Sequence, residues 1–109
     1  TLIVHLENDV ALQCEDRYVN AAAAPQYLDN DFTRVTPTQY LLQVAPLWQA
    51  QYSIEAARPT AQEARLLGIV RDEPCLVVVR RTVGPELPIT LARLVHPGSR
   101  YLLQGEFKP

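Results

Sequence analysis

A chain of 109 residues, 48% apolar and 20% charged, has the size and composition of one globular domain. Its net charge of -2 comes from 10 basic and 12 acidic residues in no blocks, so there is no basic stripe with which this piece by itself would bind nucleic acid. The longest apolar run, Cys75 to Val79, is far shorter than a membrane span, and no signal peptide opens the chain.

Two cysteines, Cys14 and Cys75, lie far apart with no CxxC spacing. Each sits in a strand-like run and reads most simply as a small buried hydrophobe. With only two histidines a zinc site has no ligand set, so no metal is expected, and a reduced cytoplasmic setting fits best. The chain contains no methionine and begins at Thr1 within a strand pattern, as expected of a fragment of a longer protein.

In chain order, Leu2, Val4 and Leu6 alternate with Ile3, His5 and Glu7, and Leu12 and Cys14 alternate with Gln13 and Glu15. Period 2 on both sides of Asn8-Asp9 predicts a hairpin. A three-residue loop, Asn8 to Val10, would keep like faces together, with Leu6 opposite Leu12, Val4 opposite Cys14 and His5 opposite Gln13. His5, Gln13, Glu15 and Arg17 then form one polar cluster, which is either solvated surface or the floor of a pocket.

A short helical turn is expected around 22–28. Thr36-Pro37-Thr38-Gln39 is a capping box with proline at the first helical position, predicting a helix to about Val44. A strand is expected within 47–58. Thr60-Ala61-Gln62-Glu63 is a second capping box, and Gly68 supplies the matching C-terminal stop. Cys75 to Val83 is β-branched and apolar on both faces at first, the pattern of an interior strand. Gly84-Pro85-Glu86 turns the chain into a partner strand from Pro88 to Val95, 96–99 breaks it, and Tyr101-Leu102-Leu103 begins a last strand. The expected class is α+β, a mainly antiparallel sheet packed against a few helices.

Few residues promise chemistry. His5 is either an exposed strand histidine bonded to Gln13 or Glu15, or a ligand contact whose ring Glu15 orients. Arg93 shares a strand face with Ile89, Leu91 and Val95. An arginine there is paired, reaches the sheet edge, or awaits an anion such as a carboxylate. Arg80 and Arg81 point to opposite faces, so at most one of them shares that pocket. Thr38 and Tyr40 place hydroxyls in the first turns of their helix, where they either meet an anion or complete the cap. No catalytic residues are expected: HExxH, GxSxG and Gly-rich phosphate loops are all missing, and His5 with Glu15 lacks a nucleophile. No cofactor is implied.

An ordered set of runs then carries a resemblance over essentially the whole chain. It comprises His5-Leu6-Glu7-Asn8, Glu15-Asp16-Arg17-Tyr18-Val19-Asn20, Asp31-Phe32-Thr33, Thr36-Pro37 with Tyr40-Leu41, and Val44-Ala45-Pro46-Leu47. It continues with Leu66-Leu67-Gly68-Ile69, Glu73-Pro74-Cys75-Leu76, the run from Ala92 to Tyr101, and Gly105-Glu106-Phe107. The chain resembles the UTRA effector-binding domain of GntR-family transcription regulators, within it the HutC (histidine-utilisation repressor) type.

The resemblance implies a chorismate lyase-like fold without lyase activity, an absent N-terminal winged helix-turn-helix that would contact DNA, a homodimer, and release of DNA when a small effector binds. For the HutC type the implied effector is urocanate. In related phosphosugar-binding domains an arginine, a glutamate, a helix-start serine and tyrosine, and a late tyrosine touch the ligand. The matching positions here are His5, Glu15, Thr38, Tyr40 and Tyr101, and Arg93 joins them from its place on an apolar face.

This sequence departs from those relatives at His5, Ile3 and Val95, where arginines and a carboxylate are expected. The departures argue for a smaller, flatter and less charged ligand than a phosphosugar. The rivals are a chorismate lyase-like enzyme and a dimerisation module with no ligand.

Overall fold

A computed structural model describes all of residues 1–109. Five strands form one antiparallel sheet in the order β1-β2-β5-β4-β3. They are β1 (Leu2–Glu7), β2 (Val10–Val19), β3 (Gln49–Ala57), β4 (Cys75–Val83) and β5 (Pro88–Pro97), and two helices, α1 (Pro37–Val44) and α2 (Ala61–Leu67), complete the α+β fold.

The β1–β2 hairpin follows the expected register at Val4↔Cys14 and His5↔Gln13. The loop differs from expectation. Asn8 and Asp9 both have positive φ (51° and 65°), making a two-residue turn that pairs Glu7 with Val10 and Leu6 with Ala11. A bulge then absorbs Leu12 and restores the facing of the remaining pairs. Turns matched to strand twist favour two-residue loops, and one bulge avoids the mixing of faces that had favoured three.

Both capping boxes form. Thr36 Oγ1 accepts from the Gln39 N–H while the Gln39 side chain accepts from the Thr36 N–H, and Thr60 with Glu63 does the same. Gly68 ends α2 in the left-handed conformation, φ 66°. Around 22–28 there is only a turn and a 3-10 segment, Tyr27–Asp29. Pro25 lies within that stretch, which disfavours continuous helix.

At the C-terminal end two expectations fail. β5 continues through His96 to Pro97, with Leu76↔His96 and Cys75↔Pro97 paired, and residues 98–100 form a 3-10 turn. Residues 101–109 form no strand. Every hydrogen-bonding edge of β4 and β5 is already occupied by a neighbour, and nothing leads Tyr101 back to an open edge.

Helix α2 lies on one face of the sheet, where Leu67 packs with Cys14, Cys75, Val77 and Val95, all essentially buried. On the other face Leu41 of α1 and Ala45 at its C-terminal cap pack with Ala24, Tyr27 and Ile89. Ile89 reaches that side because the register shifts between Thr82 and Val83, leaving it unpaired. Pairing of Glu15 with Leu94 and Arg17 with Ala92 places both charged side chains on the α1 side.

Candidate functional site

Three alternate residues of β2, Gln13, Glu15 and Arg17, make a polar row along the strand between β1 and the central strand β5. Successive same-face positions are about 6.8 Å apart, so the row is long enough to meet a small metabolite end to end. Glu15 is 3% exposed and Arg17 6%. The Arg17 Nε–H donates to Glu15 Oε2 at 2.8 Å, and His5 Nε2 lies 2.9 Å from Glu15 Oε1. Burial pushes the Glu15 carboxyl up, but the hydrogen bonds and charges of Arg17 and His5 outweigh it and hold its pKa below the ordinary value. An ionised Glu15 accepts only, so the imidazole nitrogen facing it carries the hydrogen.

At one end of the row, the Gln13 amide donates to His96 Nε2 at 2.9 Å, and His96 Nδ1–H donates to the Leu76 carbonyl at 3.0 Å. Both ring nitrogens are thereby assigned to a neutral imidazole. Burial lowers the His96 pKa against the opposing pull of the Leu76 carbonyl. Tyr101 stacks on this ring at 4.0 Å between centroids.

At the other end, Arg17 opens into a pocket under α1, lined also by Thr38, Leu41, Arg80, Thr82 and Thr90. Thr82 and Thr90 share a hydrogen bond of 2.6 Å. The space holds about 30 Å³, room for an end group of a metabolite and not for a whole one.

Of the residues singled out from the sequence, His5, Glu15, Thr38 and Tyr101 therefore fall along one face, linked by β2. Tyr40 packs its ring 6.2 Å from Tyr27 and belongs to the apolar cluster beside α1. Arg93 does not join them. It pairs with Asp16 across to β2, on the opposite face, and its guanidinium grips Glu63 through Nε (2.9 Å) and Nη2 (3.2 Å). The apolar face assigned to it is interrupted, since Ile89 turns away at the bulge and Leu91 is 40% exposed. The capping glutamate of α2 supplies its anion.

Sequence reasoning passed over Thr82, Thr90 and His96 as members of this face, and took Arg80 only as one of a pair with Arg81 of which at most one could share the pocket. The signal was available only through strand pairing: once β5 is known to lie between β2 and β4, Arg80↔Ala92 and Thr82↔Thr90 place Arg80, Thr82 and Thr90 near Arg17, and His96 falls at the Gln13 end of the row. The cleft brings together an end lined by Arg17 and Arg80, a buried carboxylate beside an imidazole, and a tyrosine stacked on His96. That is equipment for holding a small, flat, charged molecule.

A sheet of this order with one helix on each face and a polar cleft over its middle strands is the chorismate lyase-like architecture of regulator effector domains. The UTRA domain model matches residues 2–102, and the chain belongs to that family. It is 57% identical over 107 residues to the histidine utilization repressor of Pseudomonas putida and 49% identical to that of Klebsiella aerogenes. In both cases the match takes in 98% of this chain, which spans less than half the length of those relatives, 43% and 44%. The crystal structure of the C-terminal domain of the histidine utilization repressor from Pseudomonas syringae superposes with a TM-score of 0.95 at 53% identity, over 99% of this chain and 77% of that one. PhnF from Mycobacterium smegmatis, 18% identical with a TM-score of 0.81 over 93% of this chain and 46% of that one, shares the fold.

Proposed function

We propose that this chain is the effector-sensing and dimerisation domain of a GntR/HutC-type transcriptional repressor, and that its cleft takes a small carboxylate metabolite, urocanate foremost. The observation that carries the reading is the row Gln13–Glu15–Arg17, which holds a buried carboxylate against a largely buried arginine beside a pocket. Burial of that kind is costly and is a weak source of stability, so a ligand gives it a purpose. The names of the relatives supply the histidine pathway.

Urocanate carries one carboxylate and one imidazole. The arginine end of the row matches the first, and Glu15, His5 and Tyr101 match the second. DNA contact belongs to a separate domain of the longer protein, a winged helix-turn-helix, because this piece carries net charge -2. Binding shifts a cytoplasmic homodimer away from its DNA-competent arrangement through differential affinity for the two states, and histidine-utilisation genes are derepressed.

Isothermal titration with urocanate, with histidine and a phosphosugar as controls, tests the reading. Binding of urocanate alone, lost in Glu15→Gln and weakened in Tyr101→Phe, is the expected result. At about 100 times its dissociation constant the ligand should also stabilise the fold by roughly 2.7 kcal/mol. Binding of a different metabolite would keep the sensor and discard urocanate, and silence with all three would leave a module that only dimerises.

A further inference from the structure

We infer that the outer edge of Arg17, together with Arg80, is the anion anchor of the cleft, and that it selects a monoanionic carboxylate. The inference rests on the reading of this cleft as the effector site. It assigns the anchoring role to two arginines in place of Arg93.

Arg17 is 94% withdrawn from solvent by its 6% exposure, yet only its Nε is engaged, by Glu15. Its Nη1 and Nη2 have no protein acceptor and its side chain lines the pocket under α1. Neither amino group is sealed away, since Glu73 Oε2 is the one fully buried side-chain polar atom without a partner, so both keep contact with solvent. Together they present the fork geometry that grips a carboxylate through two parallel hydrogen bonds.

Arg80 lines the same pocket, is half-buried, and has no carboxylate partner in the protein. By contrast Arg93 already holds Glu63 through two bonds. The charges around the cleft are those of Arg17 and Arg80 against Glu15, with His5 as its hydrogen-bond donor, which leaves one positive charge to balance. A monoanion balances it and a phosphate dianion overshoots. The volume of about 30 Å³ beside Arg17 admits a carboxylate end while the rest of the molecule lies along the row toward His5.

The test compares urocanate with its neutral methyl ester by isothermal titration, in the wild-type chain and in Arg80→Gln and Arg17→Lys. Arg80 has no partner to lose, and Arg17→Lys leaves a cation beside Glu15, so both variants should fold. The wild type should prefer the acid to the ester by about tenfold or more, the worth of a charge-assisted pair. That preference should collapse in Arg80→Gln, which removes the unbalanced charge, and fall in Arg17→Lys, which keeps the charge but loses the two-pronged fork, while ester binding is little changed.

An ester bound as tightly as the acid, or an acid preference untouched by both substitutions, would overturn the anchor and leave the effector reading standing. If neither compound binds the wild type, urocanate as effector fails instead. The anchor is then judged by NMR titration with acetate: a shift of the Arg17 Nε–Hε signal without one at Arg93 supports it, and an unmoved Arg17 signal overturns it.

Discussion

Glu15 and Glu63 are each bonded to an arginine, and their settings differ in a way that stability measurements can read. Glu15 and Arg17 are both buried, whereas the Arg93 side chain is 35% exposed. Removing one member of a buried pair strands the other, so Glu15→Gln should cost about 3 kcal/mol in denaturant unfolding. The screened Arg93 pair should be worth only about 1 kcal/mol, read as the cost of the mutation at its other end, Arg93→Gln.

Acid unfolding should proceed in two stages. His96 has its pKa lowered from 6.5 by burial, so the unfolded chain binds the extra proton first, and stability falls as pH drops below about 6.5 until the folded-state pKa is passed. Glu15 and Glu63 are held below 4.5, so their contribution is present above that value and is lost at lower pH, as each folded-state pKa is crossed. In His96→Gln the slope of stability with pH between about 7 and 5.5 should disappear, with the more acidic stage retained.

The elements themselves are held by local chemistry that single substitutions can dissect. Thr60 caps α2 through the Glu63 N–H, and Thr60→Ala should destabilise by about 1 kcal/mol. Gly98 follows β5 where its N–H donates to the Pro74 carbonyl at 2.9 Å, and a Cβ there would come within 2.5 Å of that backbone oxygen. Gly98→Ala should therefore lower stability by about 2 kcal/mol in thermal or denaturant unfolding, whereas Gly105→Ala, with open space around it, should be neutral.

Elements of this kind were legible in the sequence because their signals are local. Two capping boxes, one C-terminal glycine and a β-branched run name α1, α2 and β4 without reference to anything distant. Asn8-Asp9 was equally visible as a turn, but the bulge at Leu12 was not, because a bulge answers to the partner strand. The strand proposed at Tyr101 failed for a related reason: apolar residues suggest a strand, while an open edge is what permits one.

At the scale of the whole molecule the chain is flat, 42 × 40 × 24 Å, with a radius of gyration of 15.0 Å against about 13 Å for a compact domain of this length. Strand β3 is exposed at every residue except Ala57, and Trp48, Tyr18 and Phe107 are among many large apolar groups left in solvent. Such extensive apolar exposure marks a surface that associates. The homodimer proposed above should appear in sedimentation as a concentration-dependent doubling of mass. A monomer at all concentrations would remove dimerisation from the role of this segment and leave its sensing role to the titration.

What the sequence by itself determined was the alphabet of elements, the α+β class, and the presence of His5, Glu15 and Arg17 on one side of a hairpin, since period, caps and turns act over a few residues. Which residues share a cleft was decided by tertiary structure. The insertion of β5 between β2 and β4 brought Arg80, Thr82 and Thr90 to the side of Arg17 and His96 to that of Gln13. The same pairing placed Arg93 on the far face, where Glu63 of α2 was waiting. Side-chain parity along one strand is local, but its alignment with a neighbour depends on a register set some 75 residues away along the chain, and no window of sequence contains that information.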